Sequence, residues 1–382
     1  MSTSFLYIDD DEYRDLSRLI SKLDADEDIS IEHVQVMDIP DVLAKYKQGS
    51  YSGFIIDQEL TKKSQEGKRV PYHGTTLAQH LRTEMTTGTI SHCPIILLSN
   101  NRVIVETFKP DDTSADLFDY VIVKDSLTSP DFVDRAQRTL KDVVDAYQIA
   151  NKIRSSDDMS DADIQELLSC DASKFKYLDS RFKDFLRSKS DMPHAIVSLV
   201  YSTLVRSAGT LVTEKMLATK LGVEIDNSDD WARLVHEFSF AEYRGIFANL
   251  KPRWWMSSIN QWWYSNSESG QPLQSLSCEE RVDELKEIYG YENLKPIKIK
   301  YAGRDQSDKV WVNCVVSGTP LDPYDALRAR DTGLMPWEQP KYLDILTVLN
   351  REHVKKGYKI HSDDIGKRDL LKSRLVTDGY SK

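Results

Sequence analysis

Four short stretches decide the fold: LYIDDDE at 6–12, GFIIDQEL at 53–60, PIILLSNN at 94–101 and YVIVKD at 120–125. Each is an apolar run of strand length that ends abruptly on a polar residue. Continuous apolar runs of this kind fit strands buried on both faces of a parallel sheet. A fifth run, Ile31–Val36, lies between the first two. The expected strands are Phe5–Ile8, Ile31–Val36, Phe54–Ile56, Ile95–Leu98 and Tyr120–Val123. Helical patterns separate them: Glu12–Leu23 with Leu16, Leu19, Ile20 and Leu23 on one face, a short helix from Pro40, and Leu77–Met85 behind Thr75 and Thr76. A closing helix starts where Ser129 can cap it, Pro130 suits its first turn and Asp131 complements its positive end, and it runs to about Ile153. Strand and helix in alternation predict an α/β domain, a flavodoxin-like doubly wound five-stranded parallel sheet.

In such a sheet, ligands bind outside the carboxyl ends of the strands. Asp9 and Asp10 end the first strand, Asp57 the third, Ser99 the fourth and Lys124 the fifth, so these five side chains are expected to converge. Any one acid after a strand is commonly only a helix cap. Three clustered carboxylates are different, because they repel one another and a hard divalent cation with oxygen ligands relieves that repulsion.

The same stretches, in the same order, resemble the receiver domains of two-component response regulators: an acid pair after strand one, an aspartate after strand three, Ser or Thr after strand four and Lys after strand five. The resemblance covers about the first 150 residues. It implies that Asp57 is the phosphoacceptor, attacking a phosphoryl group brought by a histidine kinase or phosphotransfer protein, with Ser99 and Lys124 assisting. It implies Mg²⁺ as cofactor, held by Asp9, Asp10, Asp57 and the backbone carbonyl of Glu59. Three features depart from the family pattern. Asp125 follows Lys124 where a proline is usual. Val121 holds the position of the switch aromatic, with Tyr120 one residue further back. LTKKSQEGKRVPYHGT at 60–75 reads as an inserted loop beside the site, its Lys62, Lys63, Lys68 and Arg69 being expected to face solvent. The stretch 101–119, with Pro110 and few residues at helical spacing, predicts a short or irregular fourth helix.

The chain has 382 residues, 40% hydrophobic and 29% charged, which is enough for two folded domains. The boundaries expected are a receiver at 1–153, a polar, acidic linker at 154–172 and an output domain at 173–382, mainly helical with some strand. No apolar run reaches 18 residues, so no membrane span is expected and the cytoplasm is the expected location. Cys93, Cys170, Cys278 and Cys314 are scattered, which suits packed, reduced thiols better than a zinc or redox motif. Of the net charge of −11, residues 1–155 carry −8, which disfavours nucleic acid as a partner of the first domain.

The second half resembles nothing we recognise. Ala195–Ser207 reads as an apolar helix. Thr213–Leu221 reads as another, capped by Thr213 and ended by Gly222. The stretch LVTEKMLATKLGV at 211–223 has a helix-turn-helix look, but the next helix would open on Asp229 and Asp230, which DNA repels. DNA is therefore a less favoured partner than a downstream protein. Trp254, Trp255, Trp262 and Trp263 would share one stripe if helical, and a core seam is the expectation. Alternation at 297–301, the turn AGRDQSDK and the run Val310–Val316 predict a hairpin. The basic excess at 341–382 reads as a solvated helical face. No nucleophile–base pair, phosphate loop or metal spacing appears in this half, so no enzymatic activity is expected beyond the receiver's own phosphorylation and dephosphorylation. The leading expectation is a phosphorelay response regulator, with a homodimer as a further partner. The alternatives are a DNA-binding transcriptional regulator and an unphosphorylated receiver-like component of a phage-defence system.

Overall fold

A computed structural model describes residues 3–25, 28–61, 70–100, 103, 117–154, 158–299 and 307–377. The chain divides into two compact units. The first comprises Met1–Ser169, Lys183–Ser202 and Arg244–Lys251; the second comprises Cys170–Phe182, Thr203–Tyr243 and Pro252–Lys382. Residues 183–202 and 244–251 thus group with the first unit, although they lie far along the chain.

The first unit is built on five strands, β1 (Thr3–Asp9), β2 (Ile29–Gln35), β3 (Gly53–Ile56), β4 (Ile95–Ser99) and β5 (Tyr120–Val123). They pair in the order β2-β1-β3-β4-β5, all parallel. This is the flavodoxin-like order, with its switch point between β1 and β3. Every residue of β3 and β4 is buried, as an all-apolar run in a doubly covered sheet requires. The covering helices are α1 (Tyr13–Leu23), α2 (Ile39–Gln48), α3 (Gly74–Thr86) and α4 (Pro130–Lys152). Leu16, Ile20 and Leu23 bury the face of α1 that its spacing predicts. Ser129 does precede α4 with Pro130 in the first turn, but its side chain makes no capping hydrogen bond, so fixed φ at Pro130 and Asp131 in the first turn are what the sequence supplies there.

Within the stretch 154–172, residues Asp161–Leu168 form a further helix, α5, opened by a reciprocal Ser160–Asp163 capping box. The helix expected at Ala195–Ser207 is shorter: α6 (Pro193–Leu199) gives way to a π-helical stretch, Val200–Val205.

The second unit is mainly helical. Helix α7 (Glu214–Leu221) has the expected ends: the Thr213 hydroxyl accepts from the Met216 N–H, and Gly222 takes φ +75°. Helix α8 (Trp231–Glu237) follows, and the carboxylate of Asp230 at its start accepts from the Asn293 N–H and pairs with Arg233. The tryptophan pairs do not share a helix. Trp254 and Trp255 lie on β7 (Arg253–Trp255), paired antiparallel with β6 (Leu211–Thr213), whereas Trp262 and Trp263 lie on α9 (Met256–Asn266). The core-seam expectation is met all the same. Trp254, Trp255 and Trp263 are buried, and Trp262 stacks on Tyr289 of α10 (Cys278–Tyr289).

The expected hairpin is replaced. Only Val312–Asn313 of the run Val310–Val316 is strand, and it pairs with Pro320–Leu321 through a turn at Gly318 rather than with 297–299. Helix α11 (Ile365–Thr377) carries part of the basic excess and buries Leu371 and Leu375. Among the described residues no helix is long and apolar enough to cross a membrane.

Candidate phosphoacceptor site

The site forms where β1, β3, β4 and β5 end, because parallel pairing brings their carboxyl ends to one edge. Registers of Ile8 with Ile56, Ile56 with Leu97, and Ser99 with Val123 place the residues that follow side by side. Asp9, Asp10 and Asp57 are all buried, and each offers a carboxylate oxygen within 4.8 Å of the others. The Lys124 Nζ sits 2.8 Å from Asp9 Oδ2 and 3.3 Å from Asp57 Oδ1. Ser99 is buried beside them. The structure thus brings together all five side chains expected at the strand ends. Glu59 follows at the rim, and its N–H donates to Asp57 Oδ2 at 3.2 Å.

Electrostatics within this cluster are unbalanced. Three carboxylates face one ammonium. Burial pushes the Asp57 carboxyl up to about 6, an effect that Lys124 opposes, neighbouring Asp9 reinforces and the Ser99 hydroxyl opposes. For Lys124, burial works against the charge, but Asp57 and Asp9 outweigh it and hold the ammonium above its ordinary value. An all-oxygen donor set with surplus negative charge is the chemistry that a hard divalent cation satisfies, so these residues fit Mg²⁺.

Several residues at this site escaped the sequence reading. The hydroxyl of Tyr7 donates to Asp9 Oδ2 at 2.5 Å, and the Asp11 N–H donates to Asp9 Oδ1 at 2.9 Å. Burial, then the charge of Asp9, holds the Tyr7 phenol well above its ordinary value, so it stays a donor. Strand periodicity held the clue, since residues 7 and 9 face the same side of β1. Gly74 is the other. A β-carbon there would lie 2.3 Å from the Asp57 carbonyl oxygen, so only glycine lets α3 begin against the backbone of Asp57 and Gln58. The Gly74 N–H donates to the Gln58 carbonyl at 3.0 Å.

Tyr120 and Val121 are both half-buried on β5. Lys124 opens a 3₁₀ turn, Lys124–Thr128, with Asp125 as its second residue. Lys62, Lys63, Lys68 and Arg69, and the expected irregular helix at 101–119 apart from 103 and 117–119, lie outside the described residues.

No family model and no curated protein matches the chain. Among solved structures it is similar to a sensor protein from Polaromonas sp. JS666, at 17% identity over 36% of this chain and 98% of that one, with a TM-score of 0.25. A two-component response regulator from Clostridium difficile matches at 19% identity over 32% of this chain and 84% of that one, TM-score 0.22. The response regulator RcsB of Salmonella typhimurium matches at 13% identity over 52% of this chain and 97% of that one, TM-score 0.24. Likenesses this remote decide nothing about function.

Proposed function

We propose that the chain is a response regulator of a phosphorelay, that Asp57 accepts the phosphoryl group, and that residues 1–153 act as the receiver. The observation that carries this reading is the convergence of Asp9, Asp10, Asp57, Ser99 and Lys124 at one edge of a parallel sheet. An Asp57 carboxylate oxygen attacks phosphorus, forming a P–O bond while the bond from phosphorus to the donor's phosphohistidine nitrogen breaks and its electron pair returns to the imidazole. Lys124 lies against Asp57 and supplies a point positive charge for the incoming phosphoryl oxygens. Ser99 supplies a hydroxyl donor at the end of the neighbouring strand. Asp9, Asp10 and Asp57, with the backbone carbonyl of Glu59, would hold Mg²⁺, which when bound neutralises carboxylate and phosphoryl charge. Tyr7 and the Asp11 N–H fix both oxygens of Asp9 so that its orientation is set before the donor arrives.

A histidine kinase or phosphotransfer protein in the cytoplasm is the proposed donor, and residues 173–382, joined through 154–172, the proposed output, acting on a protein partner. Receivers of this kind pair when phosphorylated, so a homodimer belongs to the same proposal. The test is to incubate the full chain with Mg²⁺ and acetyl phosphate and weigh it intact. One added phosphoryl group, lost with a chelator and lost in Asp57→Ala, is expected. No addition to the unsubstituted chain, or equal addition to Asp57→Ala, overturns the reading.

A further inference from the structure

A cavity of 610 Å³ lies in the second unit, and none of its lining residues has a role in the steps assigned above. That volume falls in the range of roughly 300–1,000 Å³ typical of small-molecule sites. One wall is the outer face of α9, where Ser257, Asn260, Gln261 and Tyr264 recur at i, i+3, i+4 and i+7. The opposite face of the same helix buries Ile259 and Trp263, so α9 is held rigidly by the core while this face stays open. Two more rings, Tyr177 and Trp337, complete the walls. Trp337 is itself fixed, its indole N–H donating to Thr203 Oγ1 at 3.1 Å and its ring lying edge-on to Phe182.

The polar groups of this face are uncommitted. The side chains of Ser257, Asn260, Gln261 and Tyr264 make no hydrogen bond to any described residue, whereas the charges of the cavity are satisfied elsewhere. Lys174 pairs with Asp171, and Asp179 with Arg181. The first N–H of α9 is taken too, Met256 donating to the Thr210 carbonyl. The cavity therefore offers flat aromatic surface and side-by-side amides, each a donor and an acceptor, but no spare charge.

We infer that this cavity binds the base of an uncharged nucleoside, with the ring stacked on Tyr264, Tyr177 or Trp337 and its hydrogen-bonding edge read by Asn260 and Gln261. Carboxamides pair with the donor–acceptor edge of a base, and base–aromatic stacking commonly adds on the order of tenfold or more in affinity per base. The absence of spare charge in the walls argues against a phosphate-bearing polymer, whose binding rests on cations. This site would give the second unit a small-molecule input that is independent of chemistry at Asp57.

The test is calorimetric titration of the full chain with adenosine, uridine and, as an uncharged polar control, glucose. Binding of at least one nucleoside and none of glucose is expected. Tyr264→Ala, at an exposed position that leaves the core intact, is expected to weaken it by on the order of tenfold or more. Asn260→Ala is expected to narrow the difference between adenosine and uridine, and Tyr13→Ala, an exposed tyrosine of the first unit, to change nothing. Binding of neither nucleoside, binding of glucose instead, or nucleoside binding indifferent to both Tyr264→Ala and Asn260→Ala would overturn the inference.

Discussion

Replacing Asp119 by alanine should unfold the floor of the first unit by a margin that the structure allows one to estimate. Asp119 precedes β5, and its side chain is nearly inaccessible. Its Oδ2 accepts from Arg82 Nη2 at 2.7 Å and from the Ile95 N–H at 2.8 Å; its Oδ1 accepts from the Tyr147 hydroxyl at 2.8 Å. His194 of α6 lies 3.2 Å away. One carboxylate therefore joins β4, β5, α3, α4 and α6. Removing one partner of a buried ion pair costs about 3–5 kcal/mol because the other charge stays uncompensated. Arg82 would keep the carbonyls of Cys93 and Leu117 and the Tyr147 hydroxyl, which favours the lower half of that range. The Ile95 N–H would however be left without its acceptor, and the Tyr147 hydroxyl would keep only His194 Nδ1, at 2.9 Å.

About 4 kcal/mol is the resulting expectation, on the order of a thousandfold in the opening equilibrium. Hydrogen exchange of the β4 amides is the suitable assay, because it localises the loss to the first unit. Arg82→Met combined with Asp119→Leu should recover much of it, since both charges then go together. Burial alone would raise the Asp119 carboxyl, but Arg82 and His194 outweigh it and hold it far below the usual carboxylate range. With the folded value depressed, its contribution is complete above the unfolded carboxylate value and fades only as pH falls towards the folded one. A loss under about 1 kcal/mol, the worth of an exposed pair, would refute the reasoning.

Three other outcomes follow from single contacts. All seven tryptophans lie in the second unit, so their fluorescence reports its unfolding. Burial, then the nearby Arg281, lowers the Lys220 ammonium to about 7 from its ordinary 10.5, so the folded state binds fewer protons than the unfolded one between those values. Stability by this probe should rise with pH from about 7 towards 10, and Lys220→Met should flatten the rise; parallel slopes would contradict the assignment. Gly74→Ala forces a methyl group against the Asp57 carbonyl, and should lower stability by about 1–3 kcal/mol with slower phosphorylation; an unchanged melting temperature would show that α3 yields freely. Tyr7→Phe removes one of the two donors on Asp9 Oδ2, Lys124 being the other, and should destabilise by about 1.5–3 kcal/mol while tightening Mg²⁺ in calorimetry, because one competitor for that oxygen is gone; weaker Mg²⁺ binding would contradict this.

The sheet was legible because four of its strands are short apolar runs cut off by a polar residue, while the edge strand β2 alternates apolar and polar residues, patterns set by local burial. The five side chains at its edge were legible for the same reason, since parallel pairing carries every strand end to one place. Tyr7 was read only as part of an apolar run, although its side of β1 is fixed by alternation, because a hydroxyl's partner depends on where Asp9 turns. Gly74 has an ordinary negative φ and looks like any loop glycine until the backbone of Asp57 is laid against it. In the second unit, Trp254 to Trp263 fitted a helical stripe, yet pairing of Arg253–Trp255 with Leu211–Thr213 claims the first two rings for a strand. That choice depends on a partner some 40 residues away and leaves no local signal. The run Val310–Val316 failed similarly, since a tight turn at Gly318 offered Val312–Asn313 a nearer partner than 297–299.

The central claim is that Asp57 itself carries the phosphoryl group. Treating the acetyl phosphate-incubated protein with borohydride reduces an aspartyl phosphate to homoserine, which peptide mass spectrometry can position. Homoserine at residue 57, dependent on Mg²⁺ and on the phosphodonor, is the predicted result. An unreduced Asp57, or a label at Asp9, Asp10 or any other residue, would contradict the account.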